Sequence, residues 1–113
     1  MSVSAMTCLE VNVAIAKLRP GEAGWDARFQ PSSGEEPEFE HIGNMWVPRY
    51  TDSWRFSGPL LEEMPNVTLQ KALHGWECYP ADDWGYCSWG IHQGEIPQTA
   101  IARAYLAWRQ EER

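Results

Sequence analysis

The sequence predicts an α+β fold: a small antiparallel sheet of three to four strands packed with about three helices, in effect an α/β sandwich. Three observations predict it. Helical periodicity with start and stop signals recurs at the beginning, middle and end of the chain. Between these stretches lie short runs of aromatic and branched residues bounded by turn formers. At 113 residues there is room for one core and no second one, so residues 1–113 read as a single domain whose helices bury their apolar stripes on the sheet. With 43% hydrophobic and 22% charged residues, the composition is an ordinary globular mix and excludes wholesale disorder.

Thr7 followed by Glu10 forms the pattern of a capping box, with Met6 placed to staple onto Val11. Leu9, Val13 and Ala16 then share a face, flanked by Val11, Ile15 and Leu18, and the bases Lys17 and Arg19 suit a carbonyl end that Pro20-Gly21 closes. Trp25 to Gln30 reads as a short strand. The segment near residues 31–38 is polar, acidic and rich in turn formers, hence a surface loop. Phe39–Ile42 and Met45–Val47 flank Gly43-Asn44 as two short strands about a tight turn.

Thr51, Asp52 and Ser53 are N-cap candidates, but Pro59 lacks an N–H and clashes with a preceding turn. A short turn ending near Phe56 is therefore expected, then a helix capped by Ser57 with Pro59 in its first turn. That helix would point Leu60, Leu61 and Met64 inward and Glu62 and Glu63 outward, and end at Pro65-Asn66. Val67 to Ala72, Trp76 to Tyr79 and Trp84 to Ile91 read as three strands, with Pro80-Ala81-Asp82-Asp83 as the hairpin turn between the last two. In a regular strand Trp84, Tyr86 and Ser88 would line one face and Cys87, Trp89 and Ile91 the other. A helix from about Pro97 closes the chain, carrying Ile101, Ala104, Tyr105 and Trp108 on its inner stripe and fraying over Gln110 to Arg113.

Sixteen acids against nine bases give a net charge of −7 and leave no basic stripe, which argues against direct nucleic-acid binding and suits a basic site on a protein partner. No apolar run approaches the roughly 18 residues of a membrane span. Met1 to Thr7 carry neither the basic segment nor the apolar core of a signal peptide. Three scattered cysteines, Cys8, Cys78 and Cys87, are no disulfide framework and fit a reducing compartment, so the expected location is the cytoplasm.

The segments Val47-Pro48-Arg49-Tyr50-Thr51-Asp52-Ser53-Trp54 and Leu60-Leu61-Glu62-Glu63-Met64, the strand running from Leu69 to Trp76-Glu77-Cys78, the alanine-rich Thr99 to Leu106 and the early Ala14-Ile15-Ala16 occur in an order that belongs to a known family. On these motifs the chain resembles the phage ABA-sandwich domain, found in small accessory proteins of tailed phages and prophages. The acidic insert around Glu35 to Glu40 and the stretch Trp84 to Trp89 have no counterpart. The resemblance implies an α/β sandwich, a phage origin, the cytoplasm of an infected bacterial host, and no established catalytic residues. By association it implies a role in disabling a host factor or in sequestering a small signal molecule.

His74, Cys78, Cys87 and His92 are the one cluster of metal-ligand types, but without a C-x-x-C knuckle the cysteines read as small apolar residues of the sheet, and no cofactor is expected. No G-x-S-x-G, P-loop or dinucleotide fingerprint occurs, and Glu62-Glu63 and Asp82-Asp83 are neighbours rather than a spaced catalytic pair; the expectation is a protein that is not an enzyme. The seven tryptophans are the stronger signal. Trp108 lies on an inner stripe and Trp54 is expected to pack beneath its helix cap. Trp84 and Trp89 have opposite parity, so one lies off the covered face. Together with Trp76, Glu77, Tyr79, Asp82, Asp83 and Tyr86 they would form an aromatic surface with an acidic rim, suited to binding and inhibiting a host protein, such as an antiviral defence component. An alternative site is Arg49 and Arg55 at a helix N-terminus beside Tyr50 and Trp54, a place for a nucleotide signal held in a homodimeric pocket. Arg103 and Arg109 complete the candidate functional bases.

Overall fold

The computed structural model describes residues 2–19 and 28–111. Its elements are α1 (Cys8–Leu18), β1 (Phe39–Ile42), β2 (Met45–Pro48), α2 (Trp54–Glu63), β3 (Thr68–Ala72), β4 (Gly75–Tyr79), β5 (His92–Gly94) and α3 (Pro97–Glu111), with short 3-10 turns at Val3–Ala5 and Glu36–Glu38. The α+β expectation is met by three helices and two antiparallel sheets, a hairpin β1-β2 and a three-stranded sheet in the order β3-β4-β5. The strand expected over Trp25 to Gln30 lies partly outside the described residues, and Arg28 to Gln30 form none.

The last helix occupies the centre. Ala100, Ile101, Ala102, Ala104, Tyr105 and Leu106 have no exposed surface. Six positions in seven cannot lie on a single stripe at 3.6 residues per turn, so α3 is enclosed on more than one side. It packs against the three-stranded sheet and also against α1 and α2. The alanines make this possible, because backbones approach closely where side chains are short. Helix α3 runs through Gln110 to Glu111, further than the fraying expected there.

Helix α1 starts as its residues dictate. Glu10 N–H donates to Thr7 Oγ1 at 3.1 Å and Thr7 N–H donates to Glu10 Oε1 at 2.8 Å, a complete capping box. The β1-β2 hairpin turns at Gly43, whose φ of +60° suits glycine, and pairs Ile42 with Met45. Its Phe39 ring joins Phe29, Phe56 and Tyr50 in a chain of tilted and edge-on contacts with centroids 5.3–5.8 Å apart.

Helix α2 departs from expectation. It is continuous from Trp54 through Pro59, so Ser57 is an interior residue and not a cap. Pro59 still removes one helical hydrogen bond, but the residue before it is Gly58, which has no Cβ to collide with the proline ring, and the helix continues. Leu60 and Met64 point into the core and Glu62 and Glu63 outward. Asn66 then adopts φ +44° as the chain turns into β3.

The third strand is also relocated. Trp84 to Ile91 form a loop, and β4 pairs instead with the three residues of β5, matching Cys78 with His92 and Trp76 with Gly94. Pro80-Ala81-Asp82-Asp83 is accordingly no hairpin turn. Gly85 and Gly90, at φ +87° and +85°, break the extended run. At the other end of the sheet Gly75, φ +145°, is obligatory: a Cβ there would lie 2.4 Å from the Gly94 carbonyl oxygen.

One buried polar connection joins the layers. Thr51 lies in an irregular turn with 3% of its surface exposed, and its backbone needs partners from elsewhere. Its N–H donates to Asn12 Oδ1 on α1 at 3.0 Å, and its carbonyl accepts from Thr99 Oγ1 on α3 at 2.7 Å. Replacing Asn12 with Ala strands the Thr51 N–H in the core and is expected to cost about 1–3 kcal/mol, read from denaturant unfolding. Ser57 is the converse case. Its hydroxyl is buried without a partner among the described residues, so Ser57→Ala is expected to stabilise by about 1 kcal/mol in the same measurement, helped by alanine's higher helix propensity.

Candidate functional site

The described surface is most unusual at the loop that replaces the expected third strand. Its start is anchored to the corner between α2 and β3. Ala81 N–H donates to the Pro65 carbonyl at 3.1 Å, and Asn66 Nδ2 reaches the carbonyls of Ala81 and Asp82 at 3.4 and 3.2 Å. The loop then winds around the Asp82 carboxylate. Oδ1 accepts from the backbone N–H of Trp84 at 3.0 Å and of Tyr86 at 2.9 Å, and Oδ2 accepts from Ser88 Oγ at 3.2 Å. Backbone bonds from Asp82 N–H to Tyr86 O and from Gly85 N–H to Asp82 O close the same turn. Its far side is closed by Gly90 N–H to Cys87 O and by the His92 ring Nε2 against Trp89 O at 2.8 Å. The Tyr86 amide first, with the Trp84 amide and Ser88, holds the Asp82 carboxyl below the usual carboxylate range, against the opposing effect of desolvation.

This framework carries large rings outward. Trp84 is 83% exposed, Tyr86 69% and Ile91 54%, with Asp83 exposed beside them. Exposed apolar groups of this size on a loop bonded into one shape are preorganised for contact, since little conformational freedom remains to be lost on binding.

The aromatic surface expected from the sequence is therefore only partly assembled. Trp84, Tyr86 and Asp83 lie on one loop. Asp82 is the internal ligand of that loop, not a rim acid. Trp89 is half-buried and lines a cavity of about 270 Å³ with Val3, His92 and Ala107. Tyr79 is half-buried. Trp76 packs against the core at the opposite end of β4. Glu77 projects from the other face of that strand, where it accepts from Gln70 Nε2 at 3.0 Å and Gln93 Nε2 at 3.4 Å, a ladder across all three strands. Ile91, Asn66 and Ser88 were not anticipated. The signal that would have found the turn is Asp82 itself, an aspartate two residues before Trp84 and three before Gly85, the arrangement of an Asx turn.

The arginine site expected as the alternative is built differently. Tyr50 is fully buried and offers no platform, whereas Trp54, expected beneath the cap, is 52% exposed. Arg49 Nε donates to the Phe39 carbonyl, and its guanidinium faces Glu40 at 3.4 Å and Asp52 at 3.5 Å. Arg55 Nη1 lies 2.5 Å from Glu35 and 3.0 Å from Glu38 and its guanidinium sits over the Phe56 ring. That pairing holds the Glu35 carboxyl down and raises the Arg55 guanidinium, the latter through Glu38 first and Glu35 second. Ser53, the residue before α2, donates its hydroxyl to the same Glu38. The acidic loop is thus tied to the start of α2.

Of the metal-ligand types, Cys78 and His92 face each other across β4 and β5, Cys87 lies in the aromatic loop and His74 in the turn between β3 and β4. Among the described residues no three His, Cys, Asp or Glu side chains converge as ligands. Burial pushes the Cys78 thiol up to about 12. No helix among the described residues is long and apolar enough to cross a membrane. No family model, no curated protein and no solved structure matches this chain.

Two outcomes follow from this geometry. Because Asp82's native value is depressed, its contribution to the loop is fully present above the ordinary aspartate value of about 3.9 and is lost as pH falls through the lower native one. Amide exchange at Trp84 and Tyr86 is expected to accelerate in that acidic window, and Asp82→Ala to show the same fast exchange at neutral pH. In the native protein a thiol reagent is expected to modify exposed Cys8 and leave Cys78 intact until denaturant is added.

Proposed function

We propose that this protein works by binding rather than by catalysis, and that it engages a protein partner through Trp84, Tyr86 and Ile91. The supporting observation is the pairing of exposure with rigidity: the largest exposed rings sit on the loop that the Asp82 carboxylate and four closing backbone or ring contacts hold in shape. Aromatic residues displayed in this way are the side chains that dominate protein–protein affinity. The chain's charge of −7 and the exposed Asp83 favour a partner with a basic rim around an apolar pocket. In the setting that the resemblance to the phage ABA-sandwich domain implies, the partner is a bacterial host protein, antiviral defence components included, and binding inhibits it in the host cytoplasm. A nucleotide-sequestering role at Arg49 and Arg55 has less support, since their guanidinium groups face carboxylates of this chain and Tyr50 is buried.

The test is comparative. Wild-type protein and the double variant Trp84→Ala/Tyr86→Ala are immobilised and exposed to the same bacterial lysate. A protein retained in stoichiometric amount by the first is expected to be lost from the second, each truncation weakening the complex by about 2 kcal/mol, or about 30-fold. Equal retention by both would remove this surface from the reading. Asp83→Lys is expected to slow association while leaving the melting temperature unchanged.

A further inference from the structure

A second site lies at the opposite end of the three-stranded sheet, where a cleft of about 320 Å³ opens between the β3-β4 turn, the end of β5 and α3. Its walls include Trp76, Leu73, Glu77, Glu95 and Arg103. Trp76 is half-buried at this cleft, and Leu73 is 91% exposed at the turn. Arg103 is the unusual member. It projects from α3 and is half-buried, yet it makes no ion pair with any described residue. One Nη1 hydrogen bond to the Gln93 carbonyl, at 2.8 Å, is its only contact of that kind among the described residues. Its Nε is enclosed and has no acceptor among the described residues.

A guanidinium carries five donors in a planar fork, and a buried charged donor left without a partner is costly. Four other arginines show how this chain deals with that problem: Arg19, Arg49, Arg55 and Arg109 each lie against a carboxylate. The carboxylates nearest in sequence to the cleft do not serve Arg103. Glu77 is held by two glutamines, and Glu95 is exposed and makes no ion pair with Arg103. The protein therefore holds a positive group with unclaimed donors at the wall of a small cavity, beside an indole ring.

We propose that this cleft binds a monocarboxylate, with the carboxylate accepting end-on from the Nη groups of Arg103 and an apolar body lying against Trp76 and Leu73. The planar fork matches the two oxygens of a carboxylate, and the half-buried indole favours a flat or aliphatic body over a polar one. A single negative charge fits better than two, because Glu95 lines the same cleft and the whole chain is acidic. The cleft and the aromatic loop lie at opposite ends of β4, so this assignment does not depend on the protein-binding reading.

Titrating the full-length 15N-labelled protein tests it. The probes are benzoate, its neutral analogue benzamide, inorganic phosphate, and an N-acetylated dipeptide ending in phenylalanine with a free carboxyl terminus. The readouts are the Arg103 Nε–H resonance, assigned by its absence from Arg103→Gln, and the Trp76 indole N–H, assigned by its absence from Trp76→Phe. Benzoate or the peptide acid is expected to move both signals saturably with a Kd of about 1 mM or tighter. Tighter binding by benzoate identifies a free small acid as the occupant, and tighter binding by the peptide identifies a chain terminus; either supports the site. Glu95→Gln is expected to tighten binding about twofold to fivefold by removing a like charge. Arg103→Lys retains a charge but not the fork and is expected to weaken binding about tenfold, a readout that remains if Arg103→Gln folds poorly. Absence of saturable shifts with both acids, equal shifts with benzamide, tighter binding of phosphate than of either acid, or undiminished binding by a folded Arg103 variant would overturn the assignment.

Discussion

The arrangement depends on how the backbone of Thr51 is satisfied inside the core. The turn that precedes α2 is buried, and a buried turn has no ladder or helix to pair its N–H and carbonyl groups. Asn12 from α1 and Thr99 from α3 supply the missing partners. Three elements far apart in sequence are thereby held to one point, and the enclosed alanine-rich face of α3 can sit between the sheet and the other two helices. Apolar burial supplies the driving force, but it is non-directional. The two hydrogen bonds are directional, and they fix where α1 and α3 meet the buried turn.

Charge is distributed with a similar economy. Glu35, Glu38, Glu40 and Asp52 lie against Arg49 and Arg55. Glu63 serves Arg19 and Arg109, whose guanidinium groups approach the Tyr105 ring and share its hydroxyl. Arg19, Arg49, Arg55 and Arg109 are thus each paired within the chain, whose net charge remains −7. Arg103 alone among the ion-pairing candidates on α3 departs from this pattern, and it does so at a cavity.

The aromatic loop shows why an acid at a candidate interface need not touch the partner. Asp82 acts inward, and the rings it positions act outward. Three donors on one carboxylate tie together a glycine-containing segment that has no strand ladder to hold it. The same ligand makes that conformation sensitive to acid, because protonation removes acceptor capacity from Asp82.

What the sequence determined alone was local. The capping box of α1, the hairpin at Gly43, the start of α3 at Pro97 and the α+β class follow from interactions among residues a few positions apart, whose geometry is set by the backbone itself. Helix α2 runs through Pro59 although the ring costs it one hydrogen bond, and Gly58, without a Cβ, removes the further clash that the residue before a proline ordinarily makes. The burial of Tyr50, the exposure of Trp54, the replacement of a strand by the Asp82 loop and the separation of Trp76 from Trp84 were decided by tertiary structure. Each depends on which element occupies the space across from the residue, and a pattern of apolar and polar letters does not encode that. β4 could pair with either of two following segments. It pairs with His92–Gly94, where Gly75 admits the Gly94 carbonyl oxygen and Gly94 in turn leaves room for Thr99 and Ala100 of α3.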